Sequence, residues 1–134
     1  MTTRKEKFML STANLRAFVA TSEPAKAREF YEKILGLQFI SDEPYALVFE
    51  ANGILLRVQK VKDVAPIPYT ALGWQVDDIS ATITELAKNG VVFERFPSVQ
   101  FDELGICTFP NGDKVAWFKD PDGNLLSLDQ MNKK

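Results

Sequence analysis

PAKAREFYEKILG, residues 24–36, sets Ala27, Phe30, Tyr31 and Ile34 at i, i+3, i+4 and i+7 and ends on glycine. That spacing is one face of a helix. Gly36 supplies the left-handed stop, and Pro24 is tolerated in a first turn whose amides have no helical acceptor. Ser22 is the expected N-cap. The same device returns 54 residues later in DISATITELAKNG, residues 78–90, with Asp77 or Asp78 as cap, Ile79, Ile83, Leu86 and Ala87 as the apolar face, and Gly90 as the stop. The expected helices therefore run over about Pro24–Leu35 and Asp78–Asn89.

Outward from each helix the pattern turns to strands. Leu15 to Ala20 precedes the first; Leu37 to Ile40, Tyr45 to Glu50 and Ile54 to Gln59 follow it. Ala71 to Val76 precedes the second; Val91 to Phe93, Cys107 to Phe109, Lys114 to Lys119 and Asn124 to Leu128 follow. Asn52-Gly53 and Asp120-Pro121-Asp122-Gly123 are tight turns, and such turns join only antiparallel neighbours. Turn glycine Gly53 maps to Gly123, 70 residues on, so the second unit carries 16 extra residues around Arg95 to Asn111. The expected fold class is α+β: two βαβββ modules forming curled mixed sheets round a shared cavity. They make one domain over residues 12–132, module 1 about 12–65 and module 2 about 66–132, jointed near Pro66–Pro68. Neither half alone can cover both faces of its sheet.

Composition narrows the chemistry. A length of 134 residues suits one domain, and 46% hydrophobic residues with ten Phe exclude a disordered chain. Sixteen basic against 18 acidic residues give a net charge of −2, which argues against nucleic acid or an anionic membrane as partner. There is no histidine, so mechanisms with a His base or His ligand are excluded. Cys107 is the one cysteine; an intramolecular disulfide and a Cys-rich zinc site are excluded, and a small buried hydrophobe is the expected role. In MTTRKEKFMLSTAN the apolar run is only Phe8-Met9-Leu10, too short for a secretory signal, so a cytoplasmic location is expected.

Phe30-Tyr31 followed by Leu35-Gly36-Leu37, Val76-Asp77-Asp78-Ile79 entering the second helix, and Phe118-Lys119-Asp120-Pro121-Asp122-Gly123-Asn124 near the end together resemble the vicinal oxygen chelate superfamily. That group holds glyoxalases, bleomycin-resistance-type binding proteins and ring-cleaving dioxygenases. The resemblance covers about Leu15 to Leu128. It implies paired βαβββ modules around a cavity, and in the metal enzymes four ligand positions on the cavity face. Carried over, those positions are Arg16, Arg57, Ala71 and Ser127. Arginine, alanine and serine are not donors for a divalent cation, and two guanidinium groups would repel one. The expectation is a member lacking the usual metal ligands, with no cofactor and no metal. A displaced carboxylate site from Asp102, Glu103 and Asp129 is the alternative.

Strand alternation extends the face. Arg16 brings Phe18 and Ala20 with it, Ala71 brings Gly73 and Gln75, and Ser127 is flanked by Leu125 and Asp129. Trp117 with Phe96, Phe101 and Phe109 of the extra segment supplies walls or a lid. The candidate ligand-binding residues are Arg16, Phe18, Arg57, Gln75, Phe101, Trp117, Ser127 and Asp129. Arg16 and Arg57 either recognise an anion through paired hydrogen bonds or are paired internally with acids such as Asp129 or Glu103. Phe30, Tyr31 and Trp74 are assigned to core, and Asp120 to Asn124 to a structural turn. The expected function is metal-free binding of a partly aromatic, anionic small molecule by a homodimer. The alternative is a lyase, isomerase or dioxygenase-like enzyme acting without metal or with a displaced site. Its acid or base would come from Asp102, Glu103, Asp129 or Tyr69, and no catalytic residue is singled out.

Overall fold

A computed structural model describes residues 9–133 of the chain; the first eight residues, which carry much of the reading for a leader, lie outside the described residues. Module 1 runs β1 (Arg16–Thr21), α1 (Pro24–Arg28), a π-helical turn (Glu29–Ile34), β2 (Gln38–Glu43), β3 (Ala46–Ala51) and β4 (Ile54–Lys60). Module 2 runs β5 (Leu72–Gln75), α2 (Ile79–Lys88), β6 (Cys107–Thr108), β7 (Lys114–Lys119) and β8 (Leu125–Gln130). The sheets have the orders β1-β4-β3-β2 and β5-β8-β7-β6, the same topology twice. In each, the strand before the helix pairs parallel with the last strand, and the hairpin strands pair antiparallel. Asn52 and Gly53 have φ of 49° and 87°, the doubly left-handed geometry that a two-residue hairpin loop needs. Among the described residues no helix is long and apolar enough to cross a membrane.

Three local readings are corrected. The first helix is not α throughout: the Leu35 amide donates to Phe30 O at 2.9 Å, five residues back. Ser22 does not cap it. Its amide and hydroxyl both donate to Asp122 Oδ1, at 2.9 and 3.0 Å, while Thr21 Oγ1 accepts the Glu23 amide at 3.0 Å. Val91 to Phe93 is no strand; only Phe93 bridges, to Phe118. The reason is the extra chain. The outer edge of β7, which a full strand such as β2 could fill, is shared between β6 at Lys114–Val115 and Phe93 at Phe118. At α2 the choice between two caps is resolved: Asp78 accepts the Ala81 amide at 3.0 Å.

One core serves both modules. Val19, Tyr31, Phe49 and Val58 of module 1 share a cluster with Ile79, Ile83, Phe118 and Leu126 of module 2. Phe118 is fully buried, with ring contacts to Phe30, Trp74 and Phe93. Leu15, the first residue of the strand read from the sequence, is exposed and lies one residue before β1 begins.

The turn at Asp120–Asn124 also fastens the modules together. Asp120 is buried and accepts the Tyr31 hydroxyl at 2.6 Å, the Asn124 side-chain amide at 2.8 Å, and the backbone amides of Asp122 and Asn124 at 2.9 Å. Asn124 Nδ2 also donates to Ala20 O at 2.9 Å, so strand β1 is tied to the β7–β8 turn. Burial pushes the Tyr31 phenol far above its ordinary range, and the neighbouring Asp120 carboxylate pushes the same way. The phenol therefore remains a donor through the physiological range.

Candidate functional site

Register decides which side chains share a face. Across β1 and β4, Phe18 stands opposite Arg57 and Arg16 opposite Leu55; across β3 and β4, Val48 stands opposite Arg57. Paired positions project to one side of a sheet. Val19, Leu47, Phe49, Leu56 and Val58 occupy the other side, in the core. Arg16, Phe18 and Arg57 therefore lie on the face turned away from that core. Phe18 is 50% exposed. Arg16 is exposed, and its side chain makes no ion pair or hydrogen bond among the described residues.

Arg57 is in a different state. Its Nη2 lies 3.2 Å from Glu43 Oε1, and the Ser41 hydroxyl donates to Glu43 Oε2 at 3.1 Å. Internal pairing is what the structure shows here, with Glu43 rather than Asp129 or Glu103 as the acid. A bulge explains why Glu43 was missed. Phe39 pairs with Phe49 on the core side, but Ser41 pairs with Val48, so the extra residue Ile40 switches Ser41 and Glu43 to the Arg57 side. Re-aiming side chains is what β-bulges do. Strict alternation from Phe39 would have put Glu43 on the core side.

On module 2, Trp117, Ser127 and Gly73 stand in one row across β7, β8 and β5, and Val115, Asp129 and Gln75 in the next. All project away from the side that carries Trp74, Ala116, Phe118, Leu126 and Leu128. Gly73 has a steric reason: a Cβ there would overlap Ser127 Oγ. Trp117 Nε1 donates to Thr70 Oγ1 at 3.1 Å, a partner absent from the sequence reading.

The extra segment delivers two phenylalanines onto this tryptophan. Ring centroids are 5.4 Å apart for Phe96–Trp117, 6.2 Å for Phe101–Trp117 and 6.1 Å for Phe96–Phe101. The Trp117 contacts are edge-on, at 69° and 87°, the arrangement favoured by aromatic quadrupoles. All three rings are half-buried, whereas Phe109 is 41% exposed and makes no ring contact among the described residues. Asp102 holds the loop beyond Phe101, its Oδ1 accepting the amides of Leu104 and Ile106 at 2.9 Å. Arg95 donates to Glu103 O at 3.0 Å, its guanidinium 5.8 Å from the Phe101 ring centroid. Asp102 thus acts in the loop's own hydrogen bonding.

The positions that the resemblance assigns to a metal do not fit one. Arg57 is committed to Glu43, Ala71 offers no donor, and Ser127 Oγ fills the space left by Gly73. Among the described residues no group of three or more His, Cys, Asp or Glu could hold a metal ion, Asp102, Glu103 and Asp129 included.

Two helix-plus-sheet modules of identical topology, sharing a core and turning one sheet face each outward, define a protein of the glyoxalase type. The sequence model of the Glyoxalase/Bleomycin resistance protein/Dioxygenase superfamily matches residues 15–128, and the chain belongs to that superfamily. Similar solved structures include a lactoylglutathione lyase from Agrobacterium tumefaciens, with TM-score 0.69 and 18% identity, covering 89% of this chain and 93% of that one. TnmS3, an antibiotic binding protein from Streptomyces sp. CB03234, matches with TM-score 0.68 and 22% identity, over 90% of this chain and 97% of that one. A superfamily member from Sphaerobacter thermophilus DSM 20745 matches with TM-score 0.69 and 21% identity, over 90% and 98%. At these identities the likeness is one of fold. No curated protein matches the sequence.

Proposed function

We propose that this chain is a metal-free small-molecule-binding protein whose ligand is partly aromatic and carries one anionic group. The observation that carries the reading is the half-buried trio Phe96, Phe101 and Trp117, assembled on the same side of its sheet as Ser127 by a segment that module 1 lacks. Aromatic rings with an exposed portion and a few polar neighbours are what small-molecule sites present. Arg16 is the anion anchor, because it is the exposed cation of its face without a partner; Arg57 already has Glu43. Phe18, Gln75, Ser127 and Asp129 complete the lining. TnmS3, of the same fold, is an antibiotic binding protein, which is consistent with a sequestering role.

We further propose a cytoplasmic homodimer. Light scattering at micromolar concentration checks this, and a stable monomer contradicts it. The binding reading is tested by calorimetric titration of 1-naphthoate into wild type, Arg16→Ala and Arg57→Ala. Saturable binding that weakens at least tenfold in Arg16→Ala and much less in Arg57→Ala is expected. Equal affinity in wild type and Arg16→Ala overturns the anchor.

A further inference from the structure

A crevice lies on the side of the module 2 sheet opposite the aromatic trio. It holds about 180 Å³ between the end of the first helix, through Leu35 and Leu37, and the core side of module 2, through Trp74, Leu86, Phe118 and Leu128. Trp74, Phe118 and Leu128 alternate with the residues of the ligand face along β5, β7 and β8, so the sheet itself separates the two places. We propose that this crevice is a second binding site, for a small uncharged apolar molecule of about one aromatic ring.

The lining argues for that chemistry. No charged residue borders the crevice, and its polar residues are Thr82 and Gln75, the last residue of β5. The Thr82 hydroxyl already donates to Asp78 O at 2.9 Å. Water in so apolar a crevice finds few polar partners, so the space suits an apolar guest better than solvent. Size points the same way: an enclosed apolar cavity of roughly 150 Å³ takes benzene, and this crevice, although open to solvent on one side, offers similar room. Trp74 and Phe118, nearly parallel at 23° with centroids 6.4 Å apart, both border the crevice.

The backbone supplies a separate argument. Leu35 and Leu37 follow directly on the π-helical turn Glu29–Ile34, and their amides are held by Phe30 O at 2.9 Å and Tyr31 O at 3.0 Å. π-helical turns are rare and concentrate at functional sites. Here the widened turn sets where the two leucines enter the crevice.

The test is titration of toluene into full-length protein with ¹³C-labelled leucine methyls, together with Trp74 emission in a Trp117→Phe background. Saturable shifts at the methyls of Leu35, Leu86 and Leu128, with a matching change in Trp74 emission, are expected. Filling the crevice by Leu37→Trp, or by Thr82→Met if the first variant does not fold, is expected to weaken toluene binding at least tenfold. No saturable shift up to the solubility limit of toluene overturns the proposal. So does undiminished affinity in a folded filling variant. Because 1-naphthoate reports on the other face, failure here and failure of the Arg16 site are told apart.

Discussion

The two modules share a topology and present opposite chemistry on corresponding faces. Module 1 shows guanidinium groups, one exposed at Arg16 and one held by Glu43, beside Phe18. Module 2 shows small residues at Gly73 and Ser127, with three rings packed beside them. The topology leaves these positions free because the strand residues of the shared core, such as Val19, Leu56 and Val58 in module 1 and Ala116, Phe118 and Leu128 in module 2, alternate with them. What differs locally is one bulge at Ile40 and one insertion between Phe93 and β6, and those two irregularities carry most of the chemistry.

The comparison presumes that both faces are held by one body, and the largest expected effect lies at the fastening between them. Asp120→Ala leaves the buried Tyr31 hydroxyl and the backbone amides of Asp122 and Asn124 without their Asp120 acceptor and takes one of two acceptors from the Asn124 side-chain amide. A loss of about 3 kcal/mol or more is expected in denaturant unfolding, since each buried unsatisfied group costs roughly 1–3 kcal/mol. Two separate unfolding transitions in wild type would break the picture of one body.

Alkaline pH sharpens the same point. The folded-state pKa of Tyr31 is raised well above its ordinary value of 10.0, so below pH 10 both folded and unfolded states keep the proton and the contribution is complete. Above pH 10 the unfolded chain ionises first, and stability should fall by about 1.4 kcal/mol per pH unit on this group's account. Tyr31→Phe should flatten that slope; an identical slope in the variant contradicts the assignment.

Within the faces, smaller effects are expected. Trp117→Ala should weaken 1-naphthoate binding by about 1 kcal/mol through lost ring contact, measured by calorimetry. A double-mutant cycle on Arg57 and Glu43 should give at most about 1 kcal/mol of coupling, because both side chains are substantially exposed and solvent screens the pair. A much larger coupling would place the pair in a drier environment than their exposure indicates.

Much of the fold was legible from Gly36, Gly53, Gly90 and Gly123, all of which have positive φ at the stops and turns read from the sequence. Apolar periodicity likewise located both helices and most strands. Legibility ended where periodicity breaks. The π-helical turn keeps the residues of a helical face but changes their spacing, and Ser22 carries a cap's chemistry but bonds across 100 residues to Asp122. The pairing of Arg57 depended on a bulge that no local signal announces. Phe101 and Trp117 were legible as candidates by residue type; their contact depended on how the extra segment folds back. Thr70, the Trp117 partner, lies 47 residues away and had no signal at all.

The central claim is that binding at this site needs no metal. Its most direct measurement is a 1-naphthoate titration of chelator-dialysed protein in a Trp74→Phe background, read by Trp117 emission, with and without added nickel or zinc. The account predicts saturable binding whose affinity is the same under both conditions. Binding that appears only after the divalent ion is restored, at one ion per chain, would contradict it.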